Sequence, residues 1–239
     1  MSATAAIWHD VECGSYAADL PLWEELAERQ GGPVLELGCG TGRVALHLAR
    51  RGHEVVGLDR DRELLDVLAE RARGLSLETY HADARDFELP HRVALVLAPT
   101  HLLQLLPDRG ERSECLRSVA EALLPGGLLA ATIIEGMPEP DGAPPPLPDV
   151  REVDGWVYSS LAVEAAIGPG EIVIRRLRHA VSPDGELSEE PNEVRIATFS
   201  AASLEADAEA AGLQPAGRRE IPETELHVGS SVVLLERSA

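Results

Sequence analysis

Val34-Leu35-Glu36-Leu37-Gly38-Cys39-Gly40-Thr41-Gly42-Arg43 is the stretch on which the fold turns. A short apolar run carries Glu36 near its end, Gly occupies alternate positions 38, 40 and 42, and the amphipathic run Arg43 to Arg50 follows. This order predicts strand, glycine turn, helix. Glycine reaches backbone angles closed to other residues and lets a ligand lie against the main chain, so the turn is suited to receiving a ligand at a helix N-terminus. The dinucleotide fingerprint counted from Gly38 needs glycine where Arg43 stands. Counted from Gly40 it reaches Ala45, which only its looser form accepts. The phosphate loop of nucleotide hydrolases needs a lysine, and the chain contains none.

Downstream, His53-Glu54-Val55-Val56-Gly57-Leu58 predicts a second buried strand that ends at Asp59. Asp59 stands about 20 residues beyond the first glycines, the distance at which a nucleotide-binding βαβ unit sets a carboxylate against ribose hydroxyls. The same Asp could instead cap the helical run Glu63 to Arg73. A third strand, about Ser76 to Tyr80, leads to His81-Ala82-Asp83-Ala84. Val93-Ala94-Leu95-Val96-Leu97-Ala98 is continuously apolar, as a central strand covered on both faces must be, and it ends in Pro99-Thr100-His101. Pro107 and Asp108 then open a helix with an apolar face of Leu116, Val119, Ala120 and Leu123. Leu124-Pro125-Gly126-Gly127 stops it before a strand from Leu128 to Glu135.

Over residues 33 to 135, in order, these features resemble the class I S-adenosylmethionine (SAM) dependent methyltransferases of the small-molecule type: an acid before G-x-G-x-G, and a P-G-G turn between helix and strand. The resemblance implies a doubly wound, Rossmann-like, seven-stranded α/β sheet, mostly parallel with an antiparallel last strand. It implies SAM as cofactor, held by Glu36, Gly38, Cys39, Gly40, Gly42, Asp59, Arg60 and Ala98. Asp83 would accept from the adenine amino group while the Ala84 N–H faces the ring, and Tyr16 would meet the methionine end. Asp83 can also be read as a solvated loop residue, Tyr16 as packing for its helix, and Cys39 as a small residue suited to the turn.

Four regions follow. Residues 1–30 form a cap segment, in which 8–18 are mixed polar and aromatic and Asp19-Leu20-Pro21 starts a helix to about Arg29. Residues 31–137 form the SAM-binding core. Residues 138–200 form an insertion: Pro138 to Pro148 is an irregular connection. Trp156 to Ala165, Glu171 to Val181 and Val194 to Phe199 are β-prone runs with short turns between them, predicting an antiparallel β-ribbon. Such an insertion either roofs the ligand edge as a lid or forms a dimer surface. Residues 201–239 return to the core with a helix Ala202 to Ala211, a strand near Gln214 to Ile221, the loop Pro222 to His227 and a strand Ser230 to Glu236.

Ligands of a doubly wound sheet bind beyond the carboxyl ends of its parallel strands, which selects His101, Glu135, Glu223, Glu225 and His227. A neutral imidazole can take a proton from a hydroxyl or amine, so His101 and then His227 are candidate bases, while Glu135 could bind a cationic acceptor. Each has a plainer role: His101 bonding a carbonyl, His227 in an exposed loop, Glu135 satisfying nearby N–H groups.

The chain has 239 residues, of which 3% are aromatic, so aliphatic side chains must fill its core. A net charge of −20, with all 21 basic residues arginine, disfavours general nucleic-acid binding. No apolar run approaches a membrane span, and three scattered cysteines suggest neither a disulfide framework nor a metal site. The sum is a cytoplasmic enzyme, possible as a homodimer, that methylates O or N of a small-molecule acceptor. The rivals are a protein methyltransferase, a SAM-binding protein without catalysis, and an NAD-dependent oxidoreductase.

Overall fold

A computed structural model describes residues 5–136, 147–224 and 227–238. Most of the connection at 138–148, together with Met137 and Glu225, falls outside them. Two helices, α1 (Ala5–Cys13) and α2 (Leu20–Gln30), precede the glycine-turn unit of β1 (Val34–Leu37), α3 (Arg43–Ala49) and β2 (Val55–Asp59). Then come α4 (Arg62–Arg71), β3 (Leu77–His81), β4 (Val93–Ala98), α5 (Arg109–Ala122) and β5 (Leu123–Ile133). After the second sheet the core closes with α6 (Ala201–Ala210), β10 (Leu213–Ile221) and β11 (Ser230–Arg237).

The main sheet runs β10-β11-β5-β4-β1-β2-β3. β11 lies antiparallel to both neighbours and the other contacts are parallel. Every residue of β1 and β4 is buried because helices cover both faces. On one face Leu116 and Val119 of α5 and Leu204 and Ala208 of α6 pack on the strands. On the other face Trp23 and Leu26 of α2 and Val44 and Leu48 of α3 do so. Asp61 caps α4, Asp108 caps α5 and Ser200 caps α6 through side-chain oxygens. Asp19 does not cap α2. Its carboxylate turns inward to accept from Trp23 Nε1 at 2.8 Å and from Arg43. The P-G-G turn lies within β5, and Gly127 is required because a Cβ there would press on carbonyl oxygens of Leu124 at 2.8 Å and Ala94 at 3.1 Å.

The insertion is a second, four-stranded antiparallel sheet of β6 (Asp149–Val153), β7 (Trp156–Gly168), β8 (Glu171–Val181) and β9 (Leu187–Ala197). Three differences from the sequence reading arise here. β6 is an additional strand, joined to β7 by the left-handed pair Asp154 and Gly155. β9 starts at Leu187, because pairing with β8 overrides the weak strand preference of Glu189, Glu190 and Asn192. Pro191 is tolerated because β9 is an edge. The stretch 8–18 begins inside α1, whose apolar residues Trp8 and Val11 find their cover on Tyr158 and Ala180 of the second sheet, with Val153 and Trp156 beside them.

Two seams fix this sheet over the carboxyl ends of the parallel strands. Glu12 of α1 accepts from Ser160 Oγ at 2.7 Å and from Arg178 at 2.8 and 2.9 Å, and Arg178 stacks over Trp8. Buried Gln104, in the short turn Leu102–Gln104 after β4, donates to the carbonyls of Ile134 and Ala197 and accepts from the Ile134 N–H.

Candidate functional site

The glycine turn sits at the carboxyl end of β1, and Gly38, Gly40 and Gly42 all have positive φ. A Cβ on Gly38 would lie 2.7 Å from Leu102 Cδ1, and one on Gly40 would lie 2.1 Å from His9 Nε2. The turn is therefore a floor, with Leu102 and His9 close above it. A cavity of about 290 Å³ opens there, lined among others by Glu36, Gly38, Cys39, Leu58, Asp59, Arg60, Asp83, Ala84 and Pro99.

Three carboxyls face this cavity in three different states. Asp59 accepts from Gly40 N–H at 2.8 Å on one oxygen and from Asp61 N–H at 2.9 Å on the other, so each oxygen keeps a lone pair. Glu36 is buried and its Oε2 has no partner among the described residues. Burial pushes its carboxyl up to about 8, against the opposing pull of Arg43. Asp83 is gripped by Arg85 through Nε at 2.8 Å and Nη2 at 2.6 Å, which holds it down at about 2 and leaves room for a donor on Oδ2.

A second cavity of about 260 Å³ adjoins the first, and Cys13, Arg43 and Thr100 line both. Its roof includes Ile174 and Ile196 of the second sheet, with Ile134, Ile221 and Val228 beside them. Polar groups face it from Tyr16, His101, Thr132, His227 and Ser230. Its charged walls are internally paired. Arg43 forks onto Asp19 at 2.6 and 2.7 Å, and Glu12 is held by Arg178. Thr100 and His101 both hold positive φ, a strained conformation maintained by the His101 N–H bond to Thr132 Oγ1 at 2.8 Å. His101 Nε2 lies 2.9 Å from Ser230 Oγ, and burial brings the imidazole down to about 4. It is thus neutral at working pH and a weak proton acceptor.

The structure gathers Glu36, Gly38, Cys39, Asp59, Arg60, Asp83 and Ala84 around the first cavity, with Gly42 in the turn beneath. It brings His101 and His227 to the second. Tyr16 lies in that second cavity, its ring 4.6 Å from His227 and 5.1 Å from the Arg43 guanidinium. Ala98 is fully buried in β4, and the cavity wall begins with Pro99. Glu135 lies beyond the end of β5, where its carboxylate accepts the Ala201 N–H at 2.6 Å at the start of α6. It lines neither cavity, so the acceptor contact expected of it gives way to a helix-capping one, and Glu223 shares its outer cleft. Sequence reasoning missed His9, Arg43, Thr100 and Ser230. Only Arg43, adjoining the turn, carried a positional signal. Among the described residues no His, Cys, Asp or Glu cluster could hold a metal ion, and no helix is long and apolar enough to cross a membrane.

Strand order, the glycine turn and the acids at the ends of β1, β2 and β3 together define a doubly wound, Rossmann-like α/β fold, the arrangement that the resemblance to class I SAM-dependent methyltransferases implied. Residues 34–127 match the family model described as a methyltransferase domain. The cypemycin N-terminal methyltransferase of a Streptomyces species is 34% identical over 97 residues, covering 41% of this chain and 40% of that protein. The chain thus spans about two-fifths of that relative. A dTDP-3-amino-3,6-dideoxy-alpha-D-glucopyranose N,N-dimethyltransferase of Streptomyces fradiae is 26% identical over 198 residues, covering 82% of this chain and 76% of its own. Among solved structures, the sugar N-methyltransferase KedS8 of Streptoalloteichus aligns with a TM-score of 0.77 at 19% identity, over all of this chain and 94% of its own, so the fold includes the second sheet.

Proposed function

We propose that the protein transfers a methyl group from SAM to O or N of a small-molecule acceptor. The observation that carries this is the pair of adjoining cavities, one floored by the glycine turn and the other roofed by the second sheet, meeting at Cys13, Arg43 and Thr100. The first fits the cofactor: glycines leave a floor that a side chain would fill, Asp59 has lone pairs free for ribose hydroxyls, and the orphaned Glu36 oxygen leaves room for a partner such as an ammonium, whose charge would ionise the carboxyl. Asp83 and the Ala84 N–H would face the adenine. When bound, SAM supplies a sulfonium-activated methyl group.

The chain's own work is alignment and exclusion of water. Ile174 and Ile196 close the acceptor cavity from above, so the strands at 149–197 act as a lid. His101, neutral and held by Ser230, orients the acceptor by hydrogen bonding. His227, at the loop side next to Tyr16, is the better placed of the two to pass a proton to solvent. The acceptor cavity is apolar with paired charges, which favours a small molecule with one or two polar groups over a protein segment. An aminosugar of the kind named for the Streptomyces fradiae relative is the first class to assay, in keeping with KedS8 being a sugar N-methyltransferase. We further place the protein in the cytoplasm, away from nucleic acid because of its charge. A homodimer could use the exposed valines and isoleucine at 157, 163 and 167 of the second sheet.

The decisive experiment follows S-adenosylhomocysteine formation from SAM with a panel of aminosugars and hydroxylated small molecules. Acceptor-dependent formation supports the proposal. Tight S-adenosylhomocysteine binding with no turnover on small molecules or peptides would favour a non-catalytic SAM-binding protein.

A further inference from the structure

α1 presents His9 to the cofactor cavity through a short relay. Asp10 is an acceptor gripped by Arg71 at 2.9 and 2.5 Å and by Arg151 at 3.1 Å, and it lies 2.6 Å from Thr41 Oγ1. An ionised carboxylate cannot donate, so the single hydroxyl proton of Thr41 goes to Asp10. Thr41 Oγ1 also lies 3.0 Å from His9 Nδ1. With its own proton committed, that oxygen can only accept, so the neutral imidazole carries its proton on Nδ1 and a lone pair on Nε2. Nε2 sits over Gly40, 2.1 Å from where a Cβ would be, in the wall of the cavity that also holds Asp59. Gly40 N–H donates to Asp59, so the imidazole and the carboxylate flank one glycine. Among the described residues Nε2 has no hydrogen-bond partner.

We propose that His9 is a cofactor-binding residue whose Nε2 accepts a hydrogen bond from one ribose hydroxyl of the nucleoside, while Asp59 accepts from the other. The assignment rests on the SAM proposal above. A vicinal diol offers two donors, and the site offers two fixed acceptors on either side of Gly40. Thr41 is the positioning residue, since its bond selects the tautomer. Glycine at 40 is then required twice over, for its backbone angle and because any side chain would displace the imidazole.

Calorimetric titration with S-adenosylhomocysteine and with its 2′-deoxy and 3′-deoxy analogues tests this. His9→Phe, which keeps a ring over Gly40, is expected to weaken S-adenosylhomocysteine about tenfold, the scale of one net hydrogen bond. It should leave the affinity for one of the two deoxy analogues unchanged, because that analogue lacks the hydroxyl in question. Nitrogen-15 spectra of the wild type should show the proton on Nδ1, with the Nε2 resonance moving when S-adenosylhomocysteine is added. Thr41→Val should mix the tautomers and weaken binding by several-fold. Equal loss for all three compounds would mean that His9 only packs, and wild-type affinity in His9→Phe would remove it from the site. If the wild type does not bind S-adenosylhomocysteine, the SAM proposal itself fails. If Asp59→Ala loses binding while His9→Phe keeps it, only the His9 assignment does.

Discussion

Asp59 and Glu36 show what one residue contributes when its neighbours decide its chemistry. Asp59 already orders the turn through Gly40 and Asp61, so its remaining lone pairs point from a fixed frame. Asp59→Ala is expected to weaken S-adenosylhomocysteine by about a hundredfold, as loss of charge-assisted bonds should, and calorimetry giving an unchanged constant would reject its ribose role. Glu36 makes a claim about pH. Its carboxyl is held neutral in the fold up to about 8, whereas the unfolded chain ionises it near 4.5. The stability it contributes is full below 4.5 and drains away as pH rises toward 8, because unfolding then releases a proton. Glu36→Gln abolishes that slope, so the variant should gain on the wild type across this window, by on the order of a few kcal/mol at its alkaline end. Denaturant midpoints that stay parallel from pH 5 to 9 would contradict it. His101→Ala should slow turnover about tenfold while sparing S-adenosylhomocysteine affinity, the scale of a lost orienting bond. Equal turnover would take His101 out of the acceptor site. The acids were legible because strand, turn and spacing put them at one edge. His9, Ser230 and Gln104 were not, since their partners lie 32, 129 and 30 residues away in the chain.

At the scale of elements, local pattern was enough wherever the element buries itself on an adjoining one. β1, β4 and α5 announce themselves by continuous or periodic apolar residues and by caps such as Asp108. α1 and β6 were hidden for the opposite reason: each is stabilised by the other and by β7, so neither carries its own signal. Gln104 is the clearest element-level device. Its amide fills three backbone bonds where β5 ends and β9 returns, two of them buried and the one to Ala197 partly so. Gln104→Leu strands these groups and is expected to destabilise the protein by about 2 to 4 kcal/mol. Hydrogen exchange should quicken at the Ile134 amide, which loses its acceptor. A thermal midpoint within a degree of wild type would show that water or relaxation replaces the clamp.

Across the whole molecule, α1 is shared by the two halves of the proposed reaction. His9 and Cys13 line the cofactor cavity, while Trp8, Val11 and Glu12 hold the second sheet. Asp10 binds this helix to Thr41 at the turn, to Arg71 on α4 and to Arg151 on β6. A ligand that orders α1 from below is therefore expected to steady the second sheet as well, since the helix presents both sets of contacts together. S-adenosylhomocysteine is expected to slow hydrogen exchange at Tyr158 to Leu161 and Arg176 to Ala180, although none of these residues lines the cofactor cavity, and to leave β10 unaffected. Glu12→Gln removes the ionic bond to Arg178 without touching the glycine turn. In that variant S-adenosylhomocysteine should bind within about twofold of wild type, because Glu12 lies outside the cofactor cavity and distant sites add nearly independently, yet the added protection in β7 and β8 should shrink. Protection confined to residues 34–106 in the wild type would mean that the two sheets respond independently. The second sheet would then be steadied only by an acceptor that itself contacts Ile174 and Ile196.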